Sequence, residues 1–368
     1  MRPDAIELDE LGVPDVLPPA LARVERHGVM LILSGGSVLD WNGLAFETLD
    51  EVDRFLALWH CDVTRHAWAR ERLRYVYNQA LNFLEEQLGL TFPQEIRRPD
   101  DVRGALIEAS RHGFHRLRIQ HCAVLKLMHV INHLEMQELR SQLAIRDVDL
   151  LDLANRMIEA RAAEMRQSGI RIHAFYGSRK TRPSVIAKLM AKREATAATV
   201  YDKLRFRIVT ESRDELVPAL GWLLRHLIPF PAVLPGESHN NLLSAEEVRA
   251  ALGEMPELAW IFPSEQAPIS SFNPHSASSY RVINFVADLP VRVYDLPNIP
   301  PPVHRALLGE AVSVLVEFQI LDAATDAANE KGDARHEIYK ERQLGVVRRR
   351  LGKGGSERRR DDRARGGR

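Results

Sequence analysis

A basic segment and two carboxylates carry the chemistry that this sequence can be read for. The segment runs Tyr176-Gly177-Ser178-Arg179-Lys180, then Thr181-Arg182-Pro183-Ser184-Val185-Ile186-Ala187-Lys188. The spacing predicts an apolar strand over Ile170 to Tyr176, a basic turn and then a helix. Pro183 suits the first turn of that helix, where its missing N–H is no loss. Ser184 and Lys188, four residues apart, share one helix face. Arg179, Lys180 and Lys188 at a helix start would converge with free backbone N–H groups on an anion. A second strand, Tyr201 to Val209, opens with Asp202, a carboxylate able to hold Mg²⁺ against that anion. Cations for phosphates and a carboxylate for a metal are the parts that phosphoryl transfer requires.

The second carboxylate is Glu317. In Val316-Glu317-Phe318-Gln319-Ile320 the alternation of a strand places Glu317 and Gln319 on one face. The chain then runs on from Leu321 through Gly332 and His336 to Tyr339-Lys340. These stretches resemble the synthetase domain of the RelA/SpoT alarmone synthetases. In that family a G-R-x-K…S-I…K turn and helix leads into a Y/F-D-L-x-x-I-R strand, and a V-E-V-Q-I-R-T strand is followed by G…A-x-H-x-x-Y-K. Gly177, Lys180, Ser184, Lys188, Asp202 and Arg207 match the first part. From Gln319 to Lys340 the second part needs no gap. The resemblance spans about 147–351. Three polar positions depart from it: Ser178 stands where the family has Arg, Asn284 where it has His, and Leu321 replaces the Arg of the Q-I-R-T run.

The resemblance implies an α+β fold, a mixed β-sheet of nucleotidyltransferase type flanked by helices. It implies Mg²⁺-dependent transfer of pyrophosphate from ATP to the ribose 3′-hydroxyl of GDP, GTP or another acceptor, the chemistry that makes guanosine tetraphosphate in the stringent response. Arg179, Lys180 and Lys188 would hold the donor triphosphate, with Ser184 on the same helix. Asp202 and Glu317 would flank one Mg²⁺, and Glu317 would also help deprotonate the 3′-hydroxyl. Tyr280 would stack on the acceptor base, and Gln319 and His336 would support the second carboxylate and the acceptor side. Arg207 is either a phosphate ligand or the partner of Asp202 or Glu211. The three departures leave two other readings: a toxin-like relative that modifies an adenosine nucleotide or the 3′ end of tRNA, and a nucleotide-binding protein that performs no transfer.

The elements that must position these groups follow from periodicity and breakers. Residues 1 to about 20 are polar and interrupted by Pro14, Pro18 and Pro19, which predicts an arm or loop. Val29 to Leu33 reads as a short buried strand ending at Gly35-Gly36-Ser37. Those glycines suit a tight turn; with Asp40 they also suggest a nucleotidyltransferase metal turn, but Asn42 stands where its second carboxylate belongs. From Asp50 the pattern is helical: Val52, Phe55, Leu56 and Trp59, then Trp68 to Leu84, broken at Gly89 and Pro93. Further helices are predicted over Pro99 to Gly113, His115 to Leu143 and Asp147 to Gln167, the last capped by Asp147 or Asp149.

His129 and His133 share a helix face, but the Glu of a zinc-protease motif is missing beside His129, and half-buried contact histidines is the simpler reading. Arg213 to Leu227 reads as a helix. An insertion over 229–275 carries one short helix, Ser244 to Leu252, with a capping box from Ser244 and Glu247, and is placed to act as a lid. A strand from Tyr280 to Leu289 precedes an extended proline-rich crossing from Pro290 to Pro302, a helical turn near Arg305 to Gly309, and the Glu317 strand. The division expected is a mostly helical region 1–146, a synthetase domain 147–351 and a basic disordered tail 352–368, which either stays solvated or touches RNA.

Composition sets the outer bounds. The 368 residues suffice for two domains or one elaborated domain. Fifty basic residues balance fifty acidic ones, so no global attraction to nucleic acid or membrane follows. Cys61 and Cys122 make neither a disulfide framework nor a zinc site, and read as reduced thiols. No signal-peptide layout and no membrane-spanning run is visible, so a cytoplasmic location is expected. The sequence leaves the oligomeric state open.

Overall fold

The computed structural model describes residues 20–34, 44–111, 115–191, 204–253, 280–296, 299, 305–330, 345, 347–348 and 351. The arm 1–19, the Gly35-Gly36-Ser37 turn with Asp40 and Asn42, the 254–279 part of the insertion, and the tail 352–368 lie outside these residues.

The first helix, α1 (Arg23–Ser34), corrects the strand expected at Val29 to Leu33. All five of those residues are buried in it. A helix enclosed on every side shows no polar face, so its apolar run cannot be told from a buried strand by periodicity. Gly28 lets this helix approach the later helix Leu216–His226 and the turn after it: a Cβ there would stand 2.8 Å from Leu224 Cδ1 and 3.2 Å from Phe230 Cβ. Next come α2 (Leu49–Leu58), started by a Thr48–Glu51 capping box, and α3 (Ala67–Glu86). The helix expected from Pro99 to Gly113 is shorter, with α4 (Gln94–Arg97) before it and α5 (Gly104–Ser110) its only helical part. Asp101 accepts from the backbone N–H and the guanidinium of Arg103, and this local turn holds the chain out of helix until Gly104.

The two long helices, α6 (Arg116–Gln142) and α7 (Asp147–Gln167), fall where the periodicity puts them. The capping expected of α7 does not occur. Arg146 holds the N-cap position without a side-chain bond, while Asp147 and Asp149 accept from the guanidinium groups of Arg140 and Arg146.

Strand β1 (Ile172–Arg179) runs further than expected, because Gly177, Ser178 and Arg179 pair with β2 (Leu204–Thr210) rather than forming a turn. Helix α8 (Arg182–Ala191) lies between them, with Pro183 in its first turn. A 3₁₀ turn (Arg213–Glu215) leads into α9 (Leu216–His226); β3 (His239–Asn240) and α10 (Ala245–Leu252) follow, the latter with the Ser244–Glu247 capping box in place. Pro290, expected in an extended crossing, lies inside β4 (Ile283–Arg292) opposite Ser313. A short helix (Arg305–Leu308) precedes β5 (Ala311–Asp322), and β5 passes directly into the helix Ala323–Asn329.

The strands form one sheet in the order β1-β2-β5-β4-β3. Only β2 and β5 pair in parallel among them, so the sheet is mixed, and with its helices the architecture is α+β as expected. One face carries an aromatic stripe. Phe175, Phe206, Phe318 and Phe285 lie on three different central strands and on β1, with ring centroids 5.3, 6.2 and 5.3 Å apart along the series. Helix α7 lies on this side: a Cβ on Gly177 would meet Phe206 at 3.1 Å and Asn155 Oδ1 at 3.6 Å. The apolar core is continuous from the first helices to the sheet, uniting residues from both sides of position 147. Among the described residues no helix is long and apolar enough to cross a membrane.

Candidate functional site

The opposite face of the same strands is polar, and alternation puts it there. In the β2–β5 pair Arg205 stands opposite Glu317 and Arg207 opposite Gln319. Next along, Gln319 stands opposite Asn284, and Asn284 opposite His239 of β3. Since each of these residues is flanked by aromatic-face neighbours, their side chains share the other surface.

Hydrogen bonds tie this face into a chain. Arg205 Nε donates to Glu317 Oε2 at 2.9 Å, and Gln319 Nε2 donates to Glu317 Oε1 at 3.3 Å. Gln319 Oε1 accepts from Arg207 Nε and Nη2 at 3.3 and 3.2 Å. Arg207 also donates to Asp326 Oδ1 at 3.0 Å and to the Tyr280 hydroxyl at 3.1 Å, with Glu330 Oε1 at 3.6 Å from Nη1. Asp326 reaches this point because β5 turns into a helix without a loop: Asp322 ends the strand and caps the helix, accepting from the Thr325 backbone N–H. Arg207 thus pairs with Asp326 and Glu330; of the partners expected for it, Glu211 lies instead beside His173 at 3.3 Å, and Asp202 lies outside the described residues.

Two asparagines fix the backbone that carries Tyr280. Asn241 accepts from the Val282 N–H and donates to the Tyr280 carbonyl, each at 2.7 Å. Asn329, buried at the end of the helix Ala323–Asn329, accepts from the Arg281 N–H at 3.0 Å and donates to its carbonyl at 2.8 Å. Each amide side chain thus imitates a strand neighbour for a segment that β3 does not reach. The Asn284 Oδ1 atom, on the same face, is by contrast buried with no hydrogen-bond partner among the described residues.

The structure brings Glu317, Gln319, Arg207 and Tyr280 together. The phosphate-binding candidates begin at the C-terminal end of β1, where Ser178 pairs with Arg205 and Arg205 in turn with Glu317. Arg179 ends that strand with its guanidinium 2.8 Å from Asp152 of α7, an exchangeable surface pair. Lys180 follows it, half-buried, and Ser184 Oγ lies 3.0 Å from Thr181 Oγ1 at the start of α8. Lys188 is in α8, one helical turn beyond Ser184. Asp202 and His336 lie outside the described residues.

Glu317 has the chemistry of a Mg²⁺ ligand, since that cation takes one or two carboxylates with waters and phosphates. Both of its oxygens are already engaged here, Oε2 by a guanidinium. Each oxygen keeps a further lone pair, so a divalent cation there would share the carboxylate with the Arg205 guanidinium. Among the described residues no three His, Cys, Asp or Glu side chains are grouped to hold a metal. His129 and His133 instead meet edge to face at 4.7 Å, with the Trp59 ring 6.0 and 6.1 Å from them, and His133 Nδ1 lies 3.4 Å from Asp288 of β4. Burial, helped by His133, lowers the His129 pKa to about 3. Burial also raises that of Asp288.

Sequence reasoning passed over Arg205, although the alternation that pairs Glu317 with Gln319 also pairs Arg205 with Arg207. It had no signal for Asp326, Asn241 or Asn329, whose partners are distant in the chain.

No family model and no curated protein matches this chain. Among solved structures, the small alarmone synthetase 1 from Bacillus subtilis is similar over 59% of this chain and 93% of its own, with 16% identity and a TM-score of 0.30. The same synthetase bound to its product pppGpp is similar over 62% and 97%, with 14% identity and a TM-score of 0.32. A GTP pyrophosphokinase family protein from Streptococcus pneumoniae is similar over 60% and 95%, with 18% identity and a TM-score of 0.28.

Proposed function

We propose that this chain is a pyrophosphotransferase of the RelA/SpoT alarmone-synthetase type, moving the β,γ-phosphates of ATP to the 3′-hydroxyl of a guanosine nucleotide. The observation that carries the proposal is the single polar face on which Glu317, Gln319, Arg207 and Tyr280 meet, residues that the sequence motifs name independently and in order. Lys180 and Lys188 hold the donor phosphates, with Ser184 at the helix start; Arg179, on the α7 face of β1 with Phe175 and Gly177, would have to leave Asp152 to join them. Glu317 accepts a hydrogen bond from the acceptor hydroxyl and draws off its proton as that oxygen bonds to the β-phosphorus of ATP and the bond from this phosphorus to the α,β-bridging oxygen breaks, releasing AMP. Gln319 keeps that carboxylate in place, Arg207 keeps Gln319 and the Tyr280 hydroxyl in place, and Tyr280 offers its ring to the acceptor base, a contact worth about 1–3 kcal/mol. His336 supports the acceptor side. A Mg²⁺ ion held by Asp202 and Glu317 would supply charge neutralisation on the donor phosphates. A cytoplasmic setting, where both nucleotides are abundant, fits this reading.

The test is to incubate the full chain with γ-labelled ATP, Mg²⁺ and, separately, GDP, GTP, AMP, ADP and tRNA. Label appearing on a guanosine nucleotide supports the proposal, whereas label only on adenosine nucleotides or tRNA moves the acceptor assignment to the toxin-like class. The ion pair that occupies Glu317 favours one rival, a nucleotide-binding module without transfer. That rival is supported if nucleotides bind, no label moves, and Glu317→Gln changes neither result.

A further inference from the structure

The first strand of the sheet carries a second aromatic ring on the polar face. In β1, Tyr176 stands opposite Arg207 and Ser178 opposite Arg205, whereas Phe175 and Gly177 lie on the side of the phenylalanine stripe. Alternation therefore sets Tyr176 and Ser178 in one row, and Lys180 continues it one residue past the strand end. From Tyr176 to Lys180 the row spans about 13 Å between α-carbons, a length comparable to an extended nucleoside triphosphate from base to terminal phosphate.

The Tyr176 end of that row is left open by its neighbours. Arg207, opposite it, is drawn the other way, because its guanidinium bonds Gln319, Asp326 and the Tyr280 hydroxyl, all on the β5 and β4 side. Between Tyr176 and Lys180 stands only the short Ser178, at the position where the alarmone-synthetase motif has arginine. Among the described strands β1 is an edge, so none flanks Tyr176 on its far side. The ring itself is half-buried against the core. A ring already held on one side is a better platform than one that must first be ordered. Transfer between two nucleotides also needs two base sites, one on each side of the catalytic carboxylate. Tyr280 leads into β4 on one side of Glu317, and Tyr176 lies two strands from β5 on the other, about 10 Å away.

We propose that Tyr176 is the platform for the donor base, stacking on the adenine of ATP while Lys180 and Ser184 hold its phosphates. This assignment, which rests on the reading of Lys180 and Ser184 as donor-phosphate ligands, puts the donor base at the sheet edge and leaves Tyr280 to the acceptor. Stacking uses a flat surface rather than a pattern of hydrogen bonds, so Tyr176 contributes affinity for the base and little choice among purines.

The test measures equilibrium binding to the full chain, in Mg²⁺ and without acceptor, of ATP and of inorganic tripolyphosphate, which has the phosphates and no base. Tyr176→Leu, which keeps apolar bulk, should weaken ATP binding about tenfold and leave tripolyphosphate within about twofold of wild type. Tyr176→Phe, which keeps the ring, should stay within about twofold for both ligands. Where leucine compromises folding, Tyr176→Met, a more adaptable filler, carries the same expectation. In transfer assays the leucine variant should raise the ATP KM by about the same tenfold with the acceptor KM unchanged. A rise in the acceptor KM alone overturns the assignment. Equal loss of ATP and tripolyphosphate, or no loss of either, also overturns it, and the phosphate site stands. If wild type binds neither ligand, the donor reading of Lys180 and Ser184 falls with it.

Discussion

The two faces of the sheet use the same strands for opposite purposes. On one, Phe206, Phe318 and Phe285 are fully buried and stack in sequence, with Phe175 at the β1 end. On the other, one residue along in each strand, stand Arg205, Arg207, Glu317 and Gln319. Aromatic pairs of this kind add about 0.5–1.5 kcal/mol each beyond their buried area. Charged pairs on the opposite side cost desolvation and return it only through good geometry. The stripe is therefore where stability is concentrated. The polar face is a chain of directional bonds that fixes side chains in place, and the rigid stripe beneath is what lets it do so.

Substitutions can break that comparison. Phe318→Ala should lower unfolding free energy by about 3–5 kcal/mol in urea denaturation, the usual cost of a buried phenyl. A loss under about 1 kcal/mol would show that the stripe does not carry the fold. Its neighbour on the other face should behave in reverse. Glu317→Gln should cut turnover by about 10²–10⁴-fold with nucleotide affinity and fold retained, as measured by initial rates beside equilibrium binding. Asn329→Ala should be intermediate. It leaves the Arg281 N–H and carbonyl unmatched, costing about 1–3 kcal/mol, and should raise the acceptor KM more than the ATP KM because Tyr280 loosens.

The smallest effect is expected where the polar side of β4 passes beneath α6, at the contact of Asp288 with His133. Beside it the folded-state pKa of His129 is about 3, below its ordinary 6.5, so the unfolded chain takes up the proton first. The stabilisation that His129 contributes is complete above about pH 6.5 and is lost as pH falls toward 3. Between pH 6.5 and 5.5 this should cost about 1 kcal/mol. His129→Leu should flatten that dependence in denaturant melts, while Asp288 and His133 remain the same in both proteins. An unchanged slope would mean that His129 is not buried as neutral imidazole.

What could be read in advance divides along the same line between local and distant causes. The bounds of α6 and α7, the Ser244–Glu247 capping box and the shared face of Glu317 and Gln319 are set by residues within one or two turns of each other, and periodicity reveals them. Val29 to Leu33 failed because burial on all sides removes the pattern that separates helix from strand. Gly177 to Arg179 reads as a turn until β2 is there to pair with it. The grip of Asp326 on Arg207 and the asparagine pairings around Tyr280 link residues far apart in the chain, and nothing local announces them.

The position of β5 has a consequence for how the chain acquires its structure. It is the last strand among the described residues, yet it sits between β2 and β4 in the middle of the sheet. A ribosome adding about 5–20 residues per second releases the β1–β2 hairpin on the order of ten seconds before β5. Through that interval Phe206 lacks Phe318, and once β4 has emerged Phe206 and Phe285 belong to two unjoined half-sheets. Long-range parallel pairing of this kind is slow and leaves edges open to other chains. The nascent protein is thus most exposed to aggregation just before β5 emerges, and chaperone occupancy on ribosome-bound chains should fall once Asp322 clears the exit tunnel.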